Sequence, residues 1–352
     1  MSGKDEEKTK RSNTKVTTYS EHPTGFTKDL LLLSELTASE FKAILDLADM
    51  FKAERAQGRF NHQVPGTSLA LIFERPSTRT RVSFEVGMFE LGGHAVVLNT
   101  NEMQSSRGES TEDTGRVLSR YCQAIAARVA SHQTLEDLAK AATVPVINAL
   151  SDKYHPCQSI ADILTMRQYK KKLKGLKIAW VGDGDNVCNS LLIAASLVGA
   201  DITVATPKNH QPLSEAISIA RHQAEFSNSV IEIIESPIEA VEGADAVFTD
   251  TFVSMGEDKE KTERIKTFLP KYQVNDSLMS LAKPDAIFLH CLPAHRGQEV
   301  TASIIDGSHS VVWQEAENRL HAQKAVLYSI LKRYAKSTKD RLFVNSRMPD
   351  AC

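Results

Sequence analysis

The chain has 352 residues, 41% hydrophobic and 24% charged, with 42 basic side chains against 44 acidic ones for a formal net charge of −2. That length exceeds one compact core and implies two domains of roughly 150 residues each. The charge balance excludes a general nucleic-acid or anionic-lipid binder, and no apolar run nears the ~18 residues of a bilayer crossing, so a soluble protein with no membrane or nucleic-acid partner is expected.

Residues 1–25 mix Lys, Ser and Thr with Asp5, Glu6 and Glu7 and lead into no apolar stretch, so a solvated tail is expected there. A mitochondrial presequence is the alternative, disfavoured because such leaders are poor in acids. Folding is expected to begin at Leu30. Thr37-Ala38-Ser39-Glu40 has the pattern of a capping box, and Phe41, Ile44, Leu45, Ala48 and Phe51 recur at helical spacing, which predicts a first amphipathic helix. Short apolar runs at 68–73, 95–98, 124–129 and 144–150 then alternate with helical stretches, the pattern of a parallel sheet. After the basic segment 170–174, closed by Gly175, strands are expected at 177–181, 201–206, 230–234, 246–250, 286–290 and 310–313, again between helical stretches. A last helix is expected from Asn318 to about Tyr334. The chain therefore reads as α/β, with two doubly wound domains at 26–168 and 169–317, each around a central parallel sheet. The helix at 318–335 would pack back on the first domain, 336–352 would be a tail, and the site would lie in the cleft between the domains.

Five cysteines, at 122, 157, 188, 291 and 352, stand far apart with no CxxC pair. This is unlike a disulfide scaffold or a zinc ribbon, and a reducing compartment, the cytoplasm, fits best.

The segment Phe73-Glu74-Arg75-Pro76-Ser77-Thr78-Arg79-Thr80-Arg81 ends one predicted strand and opens a helix through Val82, Phe84, Val86 and Phe89. A helix start presents unpaired N–H groups and a partial positive charge, so an anion there is held by main chain and dipole together. Ser77, Thr78 and Thr80 add hydroxyl donors, and Arg79 adds a planar fork suited to phosphate oxygens. The glycines and the GK[ST] ending of a Walker loop are absent, which favours a small phosphate compound over a nucleoside triphosphate. The plainer alternative makes the hydroxyls ordinary caps and leaves Arg79 and Arg81 solvated or paired with nearby acids.

Two runs in the second half also end strands. Gly182-Asp183-Gly184 offers G-x-G, but the third glycine of the dinucleotide fingerprint would fall on Val187, and Asp183 and Asp185 would repel a pyrophosphate, so an NAD site is not expected. Asp250-Thr251-Phe252-Val253-Ser254-Met255-Gly256 begins at a carboxyl edge where open sheets bind ligands, and its acid suits a cation.

Ser77-Thr78-Arg79-Thr80-Arg81, Arg128, His155-Pro156-Cys157-Gln158, the run 250–256, His290-Cys291-Leu292-Pro293 and Glu315-Ala316-Glu317-Asn318-Arg319 follow one another as in the aspartate/ornithine carbamoyltransferase family, which the chain resembles over roughly residues 28–335. The resemblance implies that Ser77, Thr78, Arg79 and Thr80 bind the phosphate of carbamoyl phosphate, that Arg128, His155 and Gln158 face its carbamoyl end, and that Arg319 is directed at the same substrate. Gln104 would reach a neighbouring subunit's site, which implies a homotrimer or a multiple of one, although Ser105 and Ser106 depart from the family's usual apolar residue and glycine. The runs at Asp250 and His290 resemble the ornithine branch, with Phe252 in place of its usual tryptophan; the aspartate branch has a PLPR-like stretch instead of His-Cys-Leu-Pro. Asn186, Asp250, Ser254 and Met255 would then hold the amino acid's α-substituents, Cys291 would sit beside the δ-amine, and the Leu292 carbonyl would accept from the carbamoyl NH2. Cys157 is read as packing. The implied catalytic set is Arg128, His155, Asp250 and Cys291, with no cofactor and no metal, and with carbamoyl phosphate and L-ornithine as the two small-molecule partners in arginine metabolism. A carbamoyltransferase for another amine such as putrescine is the nearest alternative.

In such a transfer the carbonyl carbon becomes tetrahedral and its oxygen gains negative charge, which donors fixed in a dry site stabilise. Thr80, Arg128 and His155 are the candidates. The nucleophile must be a neutral amine, although its pKa is near ~10, so cationic neighbours must oppose the ammonium form and the leaving phosphate can take the proton.

Overall fold

The structure, a computed structural model, describes residues 29–60, 62–103, 108–253 and 261–345. In chain order the first set of elements is α1 (Ala38–Ala56), β1 (Ser68–Phe73), α2 (Thr78–Glu90), β2 (His94–Asn99), α3 (Thr111–Tyr121), β3 (Ala124–Arg128), α4 (His132–Ala141), β4 (Val146–Leu150) and α5 (Pro156–Lys170). The second set is β5 (Lys177–Val181), α6 (Asn186–Val198), β6 (Asp201–Ala205), α7 (Ser214–Ser227), β7 (Ile231–Ile234), α8 (Pro237–Val241), β8 (Ala246–Thr249), α9 (Lys261–Phe268), α10 (Asp276–Met279), β9 (Ile287–His290), α11 (Ala302–Ile305) and α12 (Val312–Asn345). Thr37 starts α1 with a reciprocal cap: its Oγ1 accepts from the Glu40 N–H at 3.2 Å, while the Glu40 carboxylate accepts from the Thr37 N–H at 2.8 Å.

Two parallel sheets organise the chain, in the orders β2-β1-β3-β4 and β7-β6-β5-β8-β9. Helices cover both faces, so central strands such as β3 are buried along their whole length rather than alternating with polar residues. In each sheet the winding reverses once, between β1 and β3 and between β5 and β8. A reversal leaves a crevice at the strands' carboxyl ends, because the two flanking crossovers leave in opposite directions. Residues 77–80 after β1 and Arg128 at the end of β3 flank the first crevice. Residues 183–186 after β5 and Asp250 after β8 flank the second.

α12 joins the two halves. It packs against α1, α2 and α5 and also meets β9. One apolar core contains Phe41, Ile44 and Phe51 of α1, Phe84 and Met88 of α2, and Ala322, Val326 and Ile330 of α12. It continues through Ile160 and Leu164 of α5 to Leu191 and Leu192 of α6, so the lobes share packing beneath the cleft.

Two expectations are corrected at this end of the chain. The run 310–313 is not a strand: Ser310 makes a single bridge to Phe288, and Val312 already starts α12, burying its side chain in the second lobe's core while Trp313 faces solvent. Its apolar residues fill the first helical turn, and a short apolar run does not by itself distinguish that from a strand. The last helix is also longer than 318–334, running from Val312 to Asn345, so 336–345 belong to it rather than to a tail. No glycine or proline lies between Val312 and Asn345 to end it.

Candidate active site

Ser77 occupies the cap position of α2, and its Oγ accepts from the Thr80 N–H at 3.3 Å. The first turn carries no acid, so the positive end of the helix is left uncompensated. Thr78 is exposed, Thr80 is buried, and the Arg79 Nη2 donates to the Leu292 carbonyl at 2.5 Å. Arg81 stands apart. It pairs with Glu85 at 3.3 Å on the exposed side of the helix, as the plainer reading of these arginines would have it.

Arg128 and Arg319 are buried, at 7% and 3% exposure, and neither they nor Arg79 make an ion pair with a carboxylate among the described residues. Burial, then the neighbouring Arg319, and also Arg79 and Arg75, pull the Arg128 guanidinium down to about 10, against the opposing influence of Cys291. Arg319 is lowered as well, chiefly by burial. Guanidiniums packed this closely, with the Nε atoms of Arg128 and Arg319 buried and without a partner among the described residues, form a site that an anion would complete.

His155 precedes α5, with Pro156 at the first helical position, and its main-chain N–H donates to Ser190 Oγ of α6 at 2.7 Å. The ring is buried, and its Nδ1 has no partner among the described residues. Burial, followed by Arg319, Arg128 and Arg79, holds its pKa well below the ordinary histidine value, so the imidazole is neutral. It can donate a hydrogen bond without adding a fourth positive charge.

Gln158 lies in the first turn of α5, and both ends of its amide are engaged. Its Nε2 donates to Asp162 at 2.8 Å and to Glu315 at 3.1 Å, and its Oε1 accepts from the Arg319 Nη1 at 2.7 Å. The Arg319 Nη2 in turn donates to Thr80 Oγ1 at 3.3 Å. Cys157 is fully buried, with its thiol against the Asn148 carbonyl, in keeping with a packing residue.

Across the crevice, the turn after β5 is fixed by Gly184, where a Cβ would lie 2.2 Å from the Pro212 nitrogen. Asp183 pairs with Arg264, whose Nε also donates to the Phe252 carbonyl at 2.7 Å, so α9 ties this turn to the segment after β8. Asp185 caps α6 by accepting from the N–H groups of Val187 and Cys188. An acid side chain thus occupies the place where a dinucleotide's pyrophosphate would sit. The Asn186 Nδ2 donates to the Ser151 carbonyl at 2.5 Å, and Phe252 is buried, stacked on Phe268 at 4.7 Å between ring centres.

Ligating atoms of Asp250, His290 and Cys291 lie within 4.8 Å of one another. Both ring nitrogens of His290 are committed: Nδ1 accepts from the Leu292 N–H at 2.9 Å and Nε2 faces Glu299 at 3.3 Å. Burial and then Asp250 push the Cys291 thiol well above its ordinary value, so it is a neutral S–H, and it is hydrogen-bonded to Asp250. A neutral thiol and an engaged imidazole make a poor metal cage. Asp250 is nearly buried, with its Oδ1 accepting from the Thr251 N–H at 2.7 Å.

The structure therefore gathers Arg79, Thr80, Arg128, His155, Gln158 and Arg319 on one wall and Asp250, Cys291 and Leu292 on the other. Gln104, Ser254 and Met255 lie outside the described residues. Two expected contacts are already occupied: the Leu292 carbonyl by Arg79, and the Asn186 amide by Ser151. Asp162 and Glu315 were not singled out from the sequence. Asp162 stands four residues after Gln158, one helical turn, and that spacing is the signal for it.

The family model of the carbamoyl-P binding domain of aspartate/ornithine carbamoyltransferases matches residues 28–168, and that of the Asp/Orn binding domain matches 174–330. The chain belongs to the aspartate/ornithine carbamoyltransferase family. Among curated members it is 52% identical over 304 residues to the anabolic ornithine carbamoyltransferase of Pyrococcus furiosus, covering 86% of this chain and 96% of that protein. It is 51% identical to the ornithine carbamoyltransferase of Bacillus subtilis, covering 86% of this chain and 94% of that protein. The solved P. furiosus ornithine carbamoyltransferase superposes with a TM-score of 0.83 at 53% identity, covering 85% of this chain and 96% of that one. The anabolic enzyme of Campylobacter jejuni gives 0.82 at 40% identity, with 86% and 99% covered. In this carbamoyltransferase the arginine-lined wall comes mainly from the carbamoyl-phosphate-binding domain, with Arg319 supplied by α12, and the acidic wall belongs to the amino-acid-binding domain.

Proposed function

We propose that this chain transfers the carbamoyl group of carbamoyl phosphate to the δ-amine of L-ornithine, releasing L-citrulline and phosphate. The observation that carries the reading is the meeting of three guanidiniums that lack carboxylate partners among the described residues with the Asp250–Cys291 pair opposite them. Relatives named ornithine carbamoyltransferase, at about half identity over most of the chain, support it.

In this mechanism Ser77, Thr78, Arg79 and Thr80 with the head of α2 receive the phosphate, while Arg128, Arg319 and His155 surround the carbamoyl oxygen. The attacking amine adds to the carbonyl carbon, and the oxygen's growing negative charge is met by donors that need not reorganise. Neutral His155 contributes a hydrogen bond here. The same guanidiniums disfavour an ammonium at the reacting end, so ornithine reacts through its neutral δ-amine and the departing phosphate carries the proton away. Asp250 receives the α-ammonium, helped by Asn186, Ser254 and Met255, and Cys291, next to Asp250, packs beside the δ-amine as a neutral thiol. Arg79 must exchange the Leu292 carbonyl for phosphate, which frees that carbonyl to accept from the carbamoyl NH2.

The chain is proposed to work as a homotrimer or a multiple of one, with Gln104 reaching a neighbour's site. Exposed Val82 and Phe89 on α2, Val96 on β2, and Val117 and Tyr121 on α3 are apolar surface of the kind an interface covers. A cytoplasmic location is proposed on its cysteines, since the four among the described residues are free thiols.

A citrulline-type colorimetric assay on the purified protein, with carbamoyl phosphate and ornithine, putrescine, aspartate or N-acetylornithine, tests the reading. Turnover should be confined to ornithine, because putrescine lacks the carboxylate and Asn186 would have no partner on it. Preference for any other amine would overturn the assignment.

A further inference from the structure

Glu315, in the first turn of α12, receives hydrogen bonds from both halves of the molecule. Its Oε1 accepts from the Gln158 Nε2 at 3.1 Å, and its Oε2 accepts from the main-chain N–H of His290 at 2.8 Å, the strand end that leads into Cys291 and Leu292. Asp162 lies beside it on α5, with its Oδ1 accepting from the same Gln158 amide at 2.8 Å. Both carboxyls are at most 1% exposed, and neither forms an ion pair among the described residues. Buried acids in this arrangement do not serve as a solvated face.

We propose that Glu315 and Asp162 are positioning residues that fix the orientation of the Gln158 amide, and through it Arg319, and bind that assembly to the strand end carrying Cys291. The inference rests on the reading that Arg319 and Thr80 hold carbamoyl phosphate. An amide can face either way at little cost unless its neighbours decide. Here two carboxyl oxygens can take only N–H, so Nε2 faces them and Oε1 must face the Arg319 guanidinium. The reversed amide would set donor against donor and acceptor against acceptor. With Gln158 so placed, Arg319 is held by Gln158 on one nitrogen and Thr80 on the other, aimed along the anion site.

The two carboxyls are not used alike. Both Glu315 oxygens accept N–H groups, from Gln158 and from His290, whereas only the Oδ1 of Asp162 accepts one. Burial raises both groups, Asp162 to about 7 and Glu315 well above its ordinary value, and each lies close enough to act on the other. The two partners are therefore not interchangeable.

That asymmetry supplies the test. An asparagine at 162 keeps an acceptor for Gln158 and donates its own N–H to Glu315, whereas a glutamine at 315 has one acceptor where two are needed. Purified wild type, Asp162→Asn, Asp162→Ala and Glu315→Gln are assayed for kcat and for the KM of each substrate, with thermal midpoints recorded. Wild-type turnover of ornithine checks the reading on which the inference rests, independently of the variants. Expected are wild-type behaviour within about threefold for Asp162→Asn and a KM for carbamoyl phosphate raised by roughly 10- to 100-fold in Glu315→Gln, the loss typical of a misdirected charge-assisted contact. Asp162→Ala should also raise that KM. If Glu315→Gln does not fold, the comparison of Asn with Ala at 162 still decides. Asp162→Asn as impaired as Asp162→Ala, or a wild-type KM in a folded Glu315→Gln, overturns the proposal.

Discussion

The Arg79 guanidinium and the Leu292 carbonyl, 213 residues apart in the chain, are joined across the cleft by a hydrogen bond of 2.5 Å. The turn that opens α2 and the loop after β9 therefore hold each other in place. On the proposed function phosphate would compete for the same fork, so that binding of the first substrate would loosen Leu292 for the second.

Arg79→Ala should raise the KM for carbamoyl phosphate by about 100-fold, the scale of a lost charge-assisted, bidentate contact, while the thermal midpoint moves little because the side chain is only partly buried. Arg79→Lys should recover only part of the loss, since an ammonium lacks the planar fork. Steady-state kinetics and calorimetric binding of carbamoyl phosphate check this. Near-normal affinity in the alanine variant would remove the arginine from the site.

Asp250→Ala should leave carbamoyl phosphate binding intact and cost roughly 2–5 kcal/mol in kcat/KM for ornithine, as expected when one partner of a buried ion pair is deleted. Part of the effect should appear as a lower thiol pKa at Cys291, because Asp250 is the leading cause of its elevation after burial. Alkylation rates followed against pH read that change separately from turnover.

Arg128 is charged through the neutral range but loses its proton at about 10, earlier than an ordinary guanidinium. In the proposed mechanism the cationic form binds the carbamoyl end, so kcat/KM for carbamoyl phosphate should fall as pH rises through that value. His155 stays neutral down to well below its ordinary range and should add no break between pH 6 and 9, a window in which kcat/KM for ornithine rises as its amine deprotonates. A break near pH 6.5 in the carbamoyl phosphate profile would contradict the neutral imidazole.

His321, buried on α12, titrates at about 4 because burial and the nearby Lys52 and Lys324 outweigh Glu317. The unfolded chain takes up that proton near pH 6.5, before the folded one does, so stability is complete above pH 6.5 and is lost as pH falls toward 4. The shift corresponds to roughly 3 kcal/mol. In urea titrations at pH 7.5 and pH 5, His321→Gln should gain on the wild type at the lower pH; an unchanged difference would show that the imidazole does not titrate in this way.

Local signals in the sequence were enough for much of this architecture. β1 and β5 begin and end where their apolar runs do, at Ser68–Phe73 and Lys177–Val181, because turn residues bound them on both sides. Arg79 and Thr80 were visible as donors crowded at a helix start. What joins distant segments was not visible: nothing near Arg79 points to Leu292, and Glu315 reads as an acid in a polar run until α12 is seen to lay it against Gln158 and the end of β9. Residues 310–313 misled because three apolar side chains suit a strand and a buried first helical turn equally well.

The position of α12 also constrains how the polypeptide is made. Part of the apolar sides of α1 and α2, with Phe41, Ile44, Phe84 and Met88, shares its core with Ala322, Val326 and Ile330, more than 200 residues further along. While the ribosome is still synthesising the intervening strands, that surface remains uncovered, so the half translated first is among the last to be sealed. Chains interrupted before Ala322 should therefore aggregate through their earliest helices rather than persist as a folded amino-terminal fragment.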